Sequence, residues 1–347
     1  MLNNSNSSKT TSPRRFIQGS VSSIDTHHIL LESGQLIPFD YLVIATGSKN
    51  PSPAKTSALT KESYFAEISD WHRLIQSASN ILIVGGGPVG VEIAGEIATD
   101  LPTKKVTLVH SGPHLIPGDN TSVEFKRKIL SKLQKLEVNV ILNDKVNLPS
   151  NIFPSTTASN MTAHSIVAVG PRTLQTTSGK SISSDLQLFT VGNSSYNSDF
   201  MKSFKPELVD QYGQIRVLST LQVNDKSLPH IFALGDVIDF PVNKLAFIAG
   251  FQADIVAKNI HKIIVTQLKS KQGHGEQFIN SIPLESYKAP TGKMMMVPTG
   301  RHAGNSQLPF TILGNYLTSK LKGKDYFLGN SVKEVKTTLA PYIPSTA

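Results

Sequence analysis

Cysteine is absent from all 347 residues. Disulfide scaffolds, thiolate zinc sites, iron–sulfur clusters, cysteine nucleophiles and CxxC redox couples are thereby excluded. Any redox chemistry has to ride on a bound cofactor. Long apolar runs are also lacking. Segments such as Ile81–Val84 fall far short of the ~20 residues needed to cross a bilayer and suit buried strands instead. Residues 1–15 contain no glycine and no acid, are rich in Ser and Asn, and read as a solvated, low-complexity tail. Arg14 and Arg15 lend it a weak transit-peptide character, and it carries no secretory signal. No G-x-S-x-G, H-E-x-x-H or paired-carboxylate constellation offers a catalytic side-chain cluster.

What is present fits a packed α/β protein. Hydrophobic residues make up 39%, and the length suits two domains. Thirty-four Lys+Arg against 25 Asp+Glu give a net charge of +9, which favours anionic partners such as a phosphorylated cofactor or a membrane surface. Net charge alone points to nucleic acid, so no nucleic-acid partner is expected.

Along the chain, Ile29–Leu31 and Leu36–Ile37 around Ser33-Gly34 read as a hairpin, and Tyr41–Ala45 as a strand buried on both faces. Glu67–Ser77 has helical periodicity. The strand Ile81–Val84, a glycine-rich turn and helix, the strand Val106–Val109, the helix Val123–Leu136 and the strand Val138–Leu142 make a doubly wound unit. Ser165–Gly170 and Pro229–Asp236 read as further strands, Leu245–Ile264 as a helix and Met294–Val297 as a strand. The strand-to-glycine ends Ala45-Thr46-Gly47 and Ala168-Val169-Gly170 echo each other.

Gly85-Gly86-Gly87-Pro88-Val89-Gly90 fits G-x-G-x-x-G in its required context, with a strand before it, a helix after it and a strand again by Val106. Gly85 permits the tight turn, Gly87 lets backbone approach a pyrophosphate, and Gly90 allows close helix–strand packing. The diphosphate would sit on the N–H groups of the helix terminus. His110 occupies the place where an acid would grip the ribose 2′-hydroxyl, so both NADH and NADPH stay open. Glu92 and Glu96 lie one turn apart on the helix. They are either solvated acids near its N-terminus or, for Glu92, a hydrogen-bonding partner of the nicotinamide end. Gly112-Pro113 breaks any helix between His110 and His114, and no metal site is expected.

Together, FDYLVIATGS, VGGGPVGVEIAGEI and PHIFALGDV, with VTLVHSGPHLIP, LAFIAGFQADIVAKNI and the tail MVPTGRHAG, resemble the pyridine-nucleotide flavoprotein oxidoreductases. The similarity is strongest to the apoptosis-inducing-factor-like, ferroptosis-suppressor-type NAD(P)H:quinone oxidoreductases. It implies a two-dinucleotide-binding-domain flavoprotein, with FAD and NAD(P)H as cofactors and a quinone-like acceptor. Thr46-Gly47 would close over the flavin, and Asp236 would hold the ribityl chain, its alternative role being a helix N-cap. The helix near Leu245–Gly250 would aim its N-terminus at the flavin.

Against this family pattern, the chain lacks a first strand–GxGxxG–helix unit before Phe16, which implies a truncated FAD domain and impaired activity. Leu2 stands where the family's lipid signal needs glycine. The expected organisation is a disordered tail over 1–15, a remnant FAD-binding domain over 16–65 and 205–285, a Rossmann-like NAD(P) domain over 66–204, and a small α+β C-terminal region over 286–347. A flavin-free NAD(P)-binding sensor or docking module is the alternative function. The expected compartment is the cytoplasm, with peripheral membrane contact through the Lys-rich stretch from 320 onward, or the mitochondrion.

Overall fold

A computed structural model describes residues 15–49, 55–56, 58–119, 121–148, 167–191, 195–270 and 275–324, together with 326, 327, 329, 332 and 333. The expected coil over 1–15 lies outside these residues except for Arg15. The chain divides into two compact units, residues 1–47 with 196–288, and residues 48–195 with 289–347.

The first unit opens with three antiparallel strands, β1 (Val21–Ile24), β2 (His28–Leu31) and β3 (Leu36–Pro38). The β2–β3 turn is the expected hairpin, with Gly34 at a φ of 84°. The fourth strand, β4 (Leu42–Ile44), is shorter than the apolar run suggests. Ile44 is buried, but Val43 is 40% exposed, so this strand is not buried on both faces. The reason is pairing. Among the described residues β4 has one strand partner, and its second edge and one face stay uncovered. A two-residue strand, β5 (Ser48–Lys49), follows at the unit boundary.

The second unit includes α1 (Lys61–Ser77), which starts six residues before the Glu67 at which its apolar periodicity begins. The Thr60 hydroxyl accepts the Ser63 N–H at 3.1 Å, and the Ser63 hydroxyl returns to Thr60, which is a capping box that starts the helix early. Next come β6 (Asn80–Val84), α2 (Pro88–Asp100), β7 (Lys105–Val109), α3 (Val123–Lys135), β8 (Asn139–Ile141), β9 (Val167–Gln175) and β10 (Ser181–Phe189). They build a five-stranded sheet in the order β8-β7-β6-β10-β9. All neighbours are parallel except the β9–β10 hairpin.

Helix α3 shows how the sequence drives this. The Ser122 hydroxyl caps the Phe125 N–H at 3.2 Å. Phe125, Ile129 and Leu133, one turn apart, are fully buried. Each of these side chains contributes roughly 1.5–3 kcal/mol through burial. They join Ile81, Ile83, Leu108, Leu186 and Leu188 in one core beneath the sheet.

Strand β10 was not legible as a strand, because its outer half is Ser-Ile-Ser-Ser-Asp. Gly170 needs a correction. It does not end a strand but lies inside β9 at a φ of 104°, where a β-bulge shifts the register between Ser184 and Leu186. The following Pro171 lacks an N–H, and a bulge tolerates it within a strand.

The chain passes β11 (Ser195–Tyr196) and adds to the first unit α4 (Asp199–Phe204), β12 (Ile231–Ala233), α5 (Ala246–Lys269) and α6 (Glu276–Ser281). Strand β12 runs parallel to β4, with Ile231, Phe232 and Ala233 opposite Leu42, Val43 and Ile44. Its other edge bonds to Leu221 and Val223.

The C-terminal segment, expected as a small region over 286–347, groups with the second unit from Ala289 onward. An antiparallel sheet of β13 (Met295–Pro298), β14 (Gly304–Leu308) and β15 (Thr311–Leu313) leads into α7 (Asn315–Thr318) and a π-helical turn, Ser319–Gly323. It docks on α2 because glycine allows contact. A Cβ on Gly95 would lie 2.6 Å from the Thr299 backbone, and one on Gly300 would lie 2.2 Å from the Thr99 hydroxyl. Val297 enters the core, and the Gln307 side chain accepts the Ser122 N–H at 2.8 Å.

Candidate functional site: a glycine turn and a strand-end pair

In the second unit, β6 sits between β7 and β10, and the chain leaves its carboxyl end for α2. This is a topological switch point, where open α/β sheets bind ligands. Gly85 takes a φ of 118°, and a Cβ there would be 2.4 Å from the Thr190 carbonyl oxygen. A Cβ on Gly90 would lie 2.0 Å from the Gly85 carbonyl oxygen. On Gly86 it would meet Leu115 at 2.6 Å and His110 at 2.7 Å. Gly87 differs from all three, because nothing lies within 4 Å of its Cβ position.

Three of these glycines therefore serve packing, and the fourth opens a cradle at the start of the helix. Gly87 is the N-cap of α2, with a φ of −71° and no side-chain cap, and Pro88 follows at the first helical position. The N–H groups of the first turn have no acceptor within the helix, and the helix dipole favours an anion there. A phosphate fits this cradle. Val89, on the same turn, is 38% exposed.

The turn is braced from both sides. Thr190, just after β10, donates its hydroxyl to the Gly85 carbonyl at 2.9 Å and its N–H to Val84 at 2.7 Å. On the other side the loop 110–118 takes both polar groups of Gly86. The Gly86 N–H donates to His110 Nδ1 at 3.2 Å, and the Gly86 carbonyl accepts the Ile116 N–H at 2.8 Å. Ile116 is buried at a φ of 55°, unusual for a β-branched residue and a strain of about 1–3 kcal/mol.

The His110 ring is thus turned toward the glycine turn itself. Its Nε2 is buried without a hydrogen bond. Burial pushes the imidazole below its ordinary value, and the His114 backbone partly opposes that.

Glu92 is neither a solvated acid nor an unengaged one. It is half-buried, and Lys322 Nζ donates to it at 2.7 Å. Burial pushes its carboxyl up, and the Lys322 ammonium pulls it back. One turn on, the Tyr326 hydroxyl donates to Glu96 at 3.0 Å. Burial and the carboxylates of Glu92 and Glu96 hold that phenol well above its usual range. Arg301 pairs with Asp100 at 3.0 Å, so the whole acidic face of α2 meets the C-terminal segment.

In the first unit, the parallel pairing of β4 and β12 makes two distant motifs neighbours. Ile44 lies opposite Ala233, so Ala45-Thr46-Gly47 and Leu234-Gly235-Asp236 emerge side by side at the carboxyl ends of the pair. The Leu234 N–H donates to the Ile44 carbonyl at 3.0 Å. Gly47 has a φ of 69°, and its Cβ position is open.

Asn197 clamps this end. Its side chain donates to the Thr46 carbonyl at 2.8 Å and its N–H to the Gly47 carbonyl at 3.0 Å, while the Thr46 hydroxyl donates to the Asn197 carbonyl at 2.6 Å. Gly235, at a φ of 79°, donates its N–H to Gln252 Oε1 of α5 at 2.8 Å. Asp236 is half-buried in a 3₁₀ turn rather than capping a long helix. Burial pushes the Lys244 ammonium down, and the charges of Asp236, Asp239 and Asp210 oppose that. A carboxylate and a lysine therefore share this strand end.

Thr190, Asn197, Lys244, Gln252 and Lys322 carry no local signature in the sequence. Only Thr190 could have been found, by extending the run LQLF to the next residue. Among the described residues no cluster of His, Asp and Glu could hold a metal ion, and no helix is long and apolar enough to cross a membrane.

The family model described as pyridine nucleotide-disulphide oxidoreductase matches residues 5–263. The chain is 36% identical to apoptosis-inducing factor homolog A of Dictyostelium discoideum, covering 71% of this chain and 60% of that protein. Identity to homolog B of the same organism is 32%, covering 92% and 80%. Identity to human ferroptosis suppressor protein 1 is 30%, covering 92% and 79%. A ferredoxin reductase from Rhodopseudomonas palustris shares the fold at 19% identity, with a TM-score of 0.53 over 70% of this chain and 58% of that one. A NAD-dependent persulfide reductase from A. fulgidus shares it at 16% identity, with a TM-score of 0.55 over 87% and 50%. The chain thus spans three-fifths of the first relative and about half of these solved structures. With its glycine turn at the switch point and a family match over well more than half its length, the chain belongs to the pyridine nucleotide-disulphide oxidoreductase family.

Proposed function

We propose that the protein is an FAD-dependent oxidoreductase that takes electrons from NAD(P)H and delivers them to a quinone-like acceptor. The observation that carries this is the open Cβ position at Gly87, at the head of α2 and at the switch of the sheet. The first-turn N–H groups of α2 hold the diphosphate of the nicotinamide nucleotide, while Thr190 and the loop 110–118 keep the turn from moving.

In the other unit, Thr46 and Gly47, held by Asn197, cover the flavin, and Asp236 accepts a ribityl hydroxyl beside Lys244. When bound, FAD supplies the two-electron redox chemistry, so the protein's own groups bind and orient rather than act as acid or base. The quinone-like acceptor is supported by the similarity to human ferroptosis suppressor protein 1. The cytoplasm is the proposed compartment, with peripheral membrane contact through the exposed Lys320 and Lys324.

Purified protein tests this directly. A yellow protein, or one that changes the spectrum of added FAD and then oxidises NADH or NADPH with a soluble quinone, bears the reading out. A colourless protein that leaves the FAD spectrum unchanged would sink it, and nucleotide binding in such a protein would leave a flavin-free sensor.

A further inference from the structure

We infer that His110 is a positioning residue for the nicotinamide nucleotide, its unprotonated Nδ1 fixing the Gly86 peptide so that affinity depends on the protonation of this ring rather than on a contact with the ribose. The inference rests on the reading of Gly85–Gly90 as the pyrophosphate cradle.

The geometry leaves Nδ1 one role. It faces the Gly86 N–H at 3.2 Å, and an N–H can only donate, so Nδ1 must carry its lone pair and the ring proton sits on Nε2. Protonating the ring would set two donors against each other. The Gly86 peptide would then lose its fixed orientation, one residue before the N-cap that opens the cradle. The Gly86 carbonyl is tied to Ile116, whose left-handed backbone shows that loop 110–118 is held in this shape by its surroundings. The ring is confined on two sides by glycines, since a Cβ on Gly86 would lie 2.7 Å from it and one on Gly112 would lie 3.1 Å from it.

The charged groups around it are few. His114 lies on the same loop and touches the ring through its backbone. Asp144, after β8, donates its N–H to the His110 carbonyl at 3.2 Å, but its carboxylate is taken by Thr177 and Ser178. Lys145 donates its N–H to Asp144. From α2, Glu92 and Glu96 are engaged by Lys322 and Tyr326. Burial of the ring without a paired anion keeps the neutral form favoured, in line with the lowered value of His110.

The test uses the full chain and oxidised NAD or NADP, which are stable in acid, with binding measured by titration calorimetry between pH 8 and pH 5.5. For the wild type the dissociation constant should rise toward the acid end by a few-fold and by less than about tenfold, because the ring is held below its ordinary value of 6.5. His110→Asn puts a non-titrating acceptor where Nδ1 stands. It should bind within about threefold of the wild type at pH 8 and show a flat profile. His110→Phe keeps the bulk but loses the acceptor, and should bind about tenfold more weakly at every pH.

A flat wild-type profile, an Asn variant that follows the wild-type curve, or a Phe variant with wild-type affinity would each overturn the inference. Should His110→Phe fail to melt cooperatively, the ring ¹⁵N shifts of the wild type decide. An unprotonated Nδ1 at pH 7.5 supports the assignment, and a protonated one refutes it. If the wild type binds neither nucleotide at pH 8, the cradle reading fails instead, and the tautomer still judges the Gly86 contact separately.

Discussion

Gly87 and Gly90 stand three residues apart in one motif, yet a side chain at each should do opposite things. At Gly87 the backbone is ordinary, with a φ of −71°, and no atom lies within 4 Å of a Cβ. Gly87→Val therefore meets no protein. It weakens the N-cap by about 1 kcal/mol, which lowers the melting temperature by roughly 2–4 °C. Its isopropyl group instead fills the space of the phosphates. Two charge-assisted hydrogen bonds lost at about 1.5–3 kcal/mol each weaken nucleotide binding by about 100-fold or more.

At Gly90 a Cβ would sit 2.0 Å from the Gly85 carbonyl and 2.6 Å from the Thr190 hydroxyl. Gly90→Ala must push helix from strand. Overpacking against backbone costs about 1–3 kcal/mol, and the obstacle here places it at the upper end, about 6–12 °C. Differential scanning fluorimetry and calorimetric nucleotide titration, run on both variants, separate the two effects. If Gly87→Val binds nucleotide like the wild type, the phosphates do not lie at the head of α2. If Gly90→Ala melts with the wild type, the close approach is not what orders the turn.

Other consequences follow from the partners found in the fold. Lys322→Met strands the mostly buried Glu92 carboxylate and should lower stability by about 2–3 kcal/mol in urea melts. The double variant with Glu92→Gln should recover most of the loss, and a failure to recover would mean that Lys322 acts elsewhere. The folded-state carboxyl of Glu92 is already raised, so removing Lys322 should harm less at pH 5 than at pH 8. Asp144 is lowered by hydrogen bonds from Ser178, Thr176 and Thr177, so the stability it gives is full above its unfolded value near 3.8 and fades as pH falls below it. Asp144→Asn should therefore flatten the melting temperature between pH 5 and pH 3, and an unchanged acid slope would contradict the assignment. Asn197→Ala removes the side-chain bond to Thr46, worth about 0.5–1.5 kcal/mol, and should weaken FAD binding about three- to tenfold in a flavin fluorescence titration. Wild-type FAD affinity in that variant would detach Thr46-Gly47 from the flavin.

The sequence alone fixed the elements whose cause is local. Apolar continuity set β6 and β7, the i, i+4 spacing of Phe125, Ile129 and Leu133 set α3, and Gly85 to Gly90 between strand and helix set the nucleotide turn. Where local and tertiary causes part, the sequence was silent or misleading. Val43 belongs to an apolar run but faces outward, because burial of a strand depends on what covers it and not on its own composition. Strand β10 is half polar and is a strand because β6 and β9 pair with it. The ring of His110, which the sequence places where an acid would meet the ribose, accepts the Gly86 N–H, and only the path of loop 110–118 decides which way that ring points. Thr46 and Asp236 are 190 residues apart, and the parallel register of β4 with β12 is what brings them together. Chemistry encoded in one short backbone turn can be read from residue order. Chemistry shared between distant segments exists only once their strands have paired.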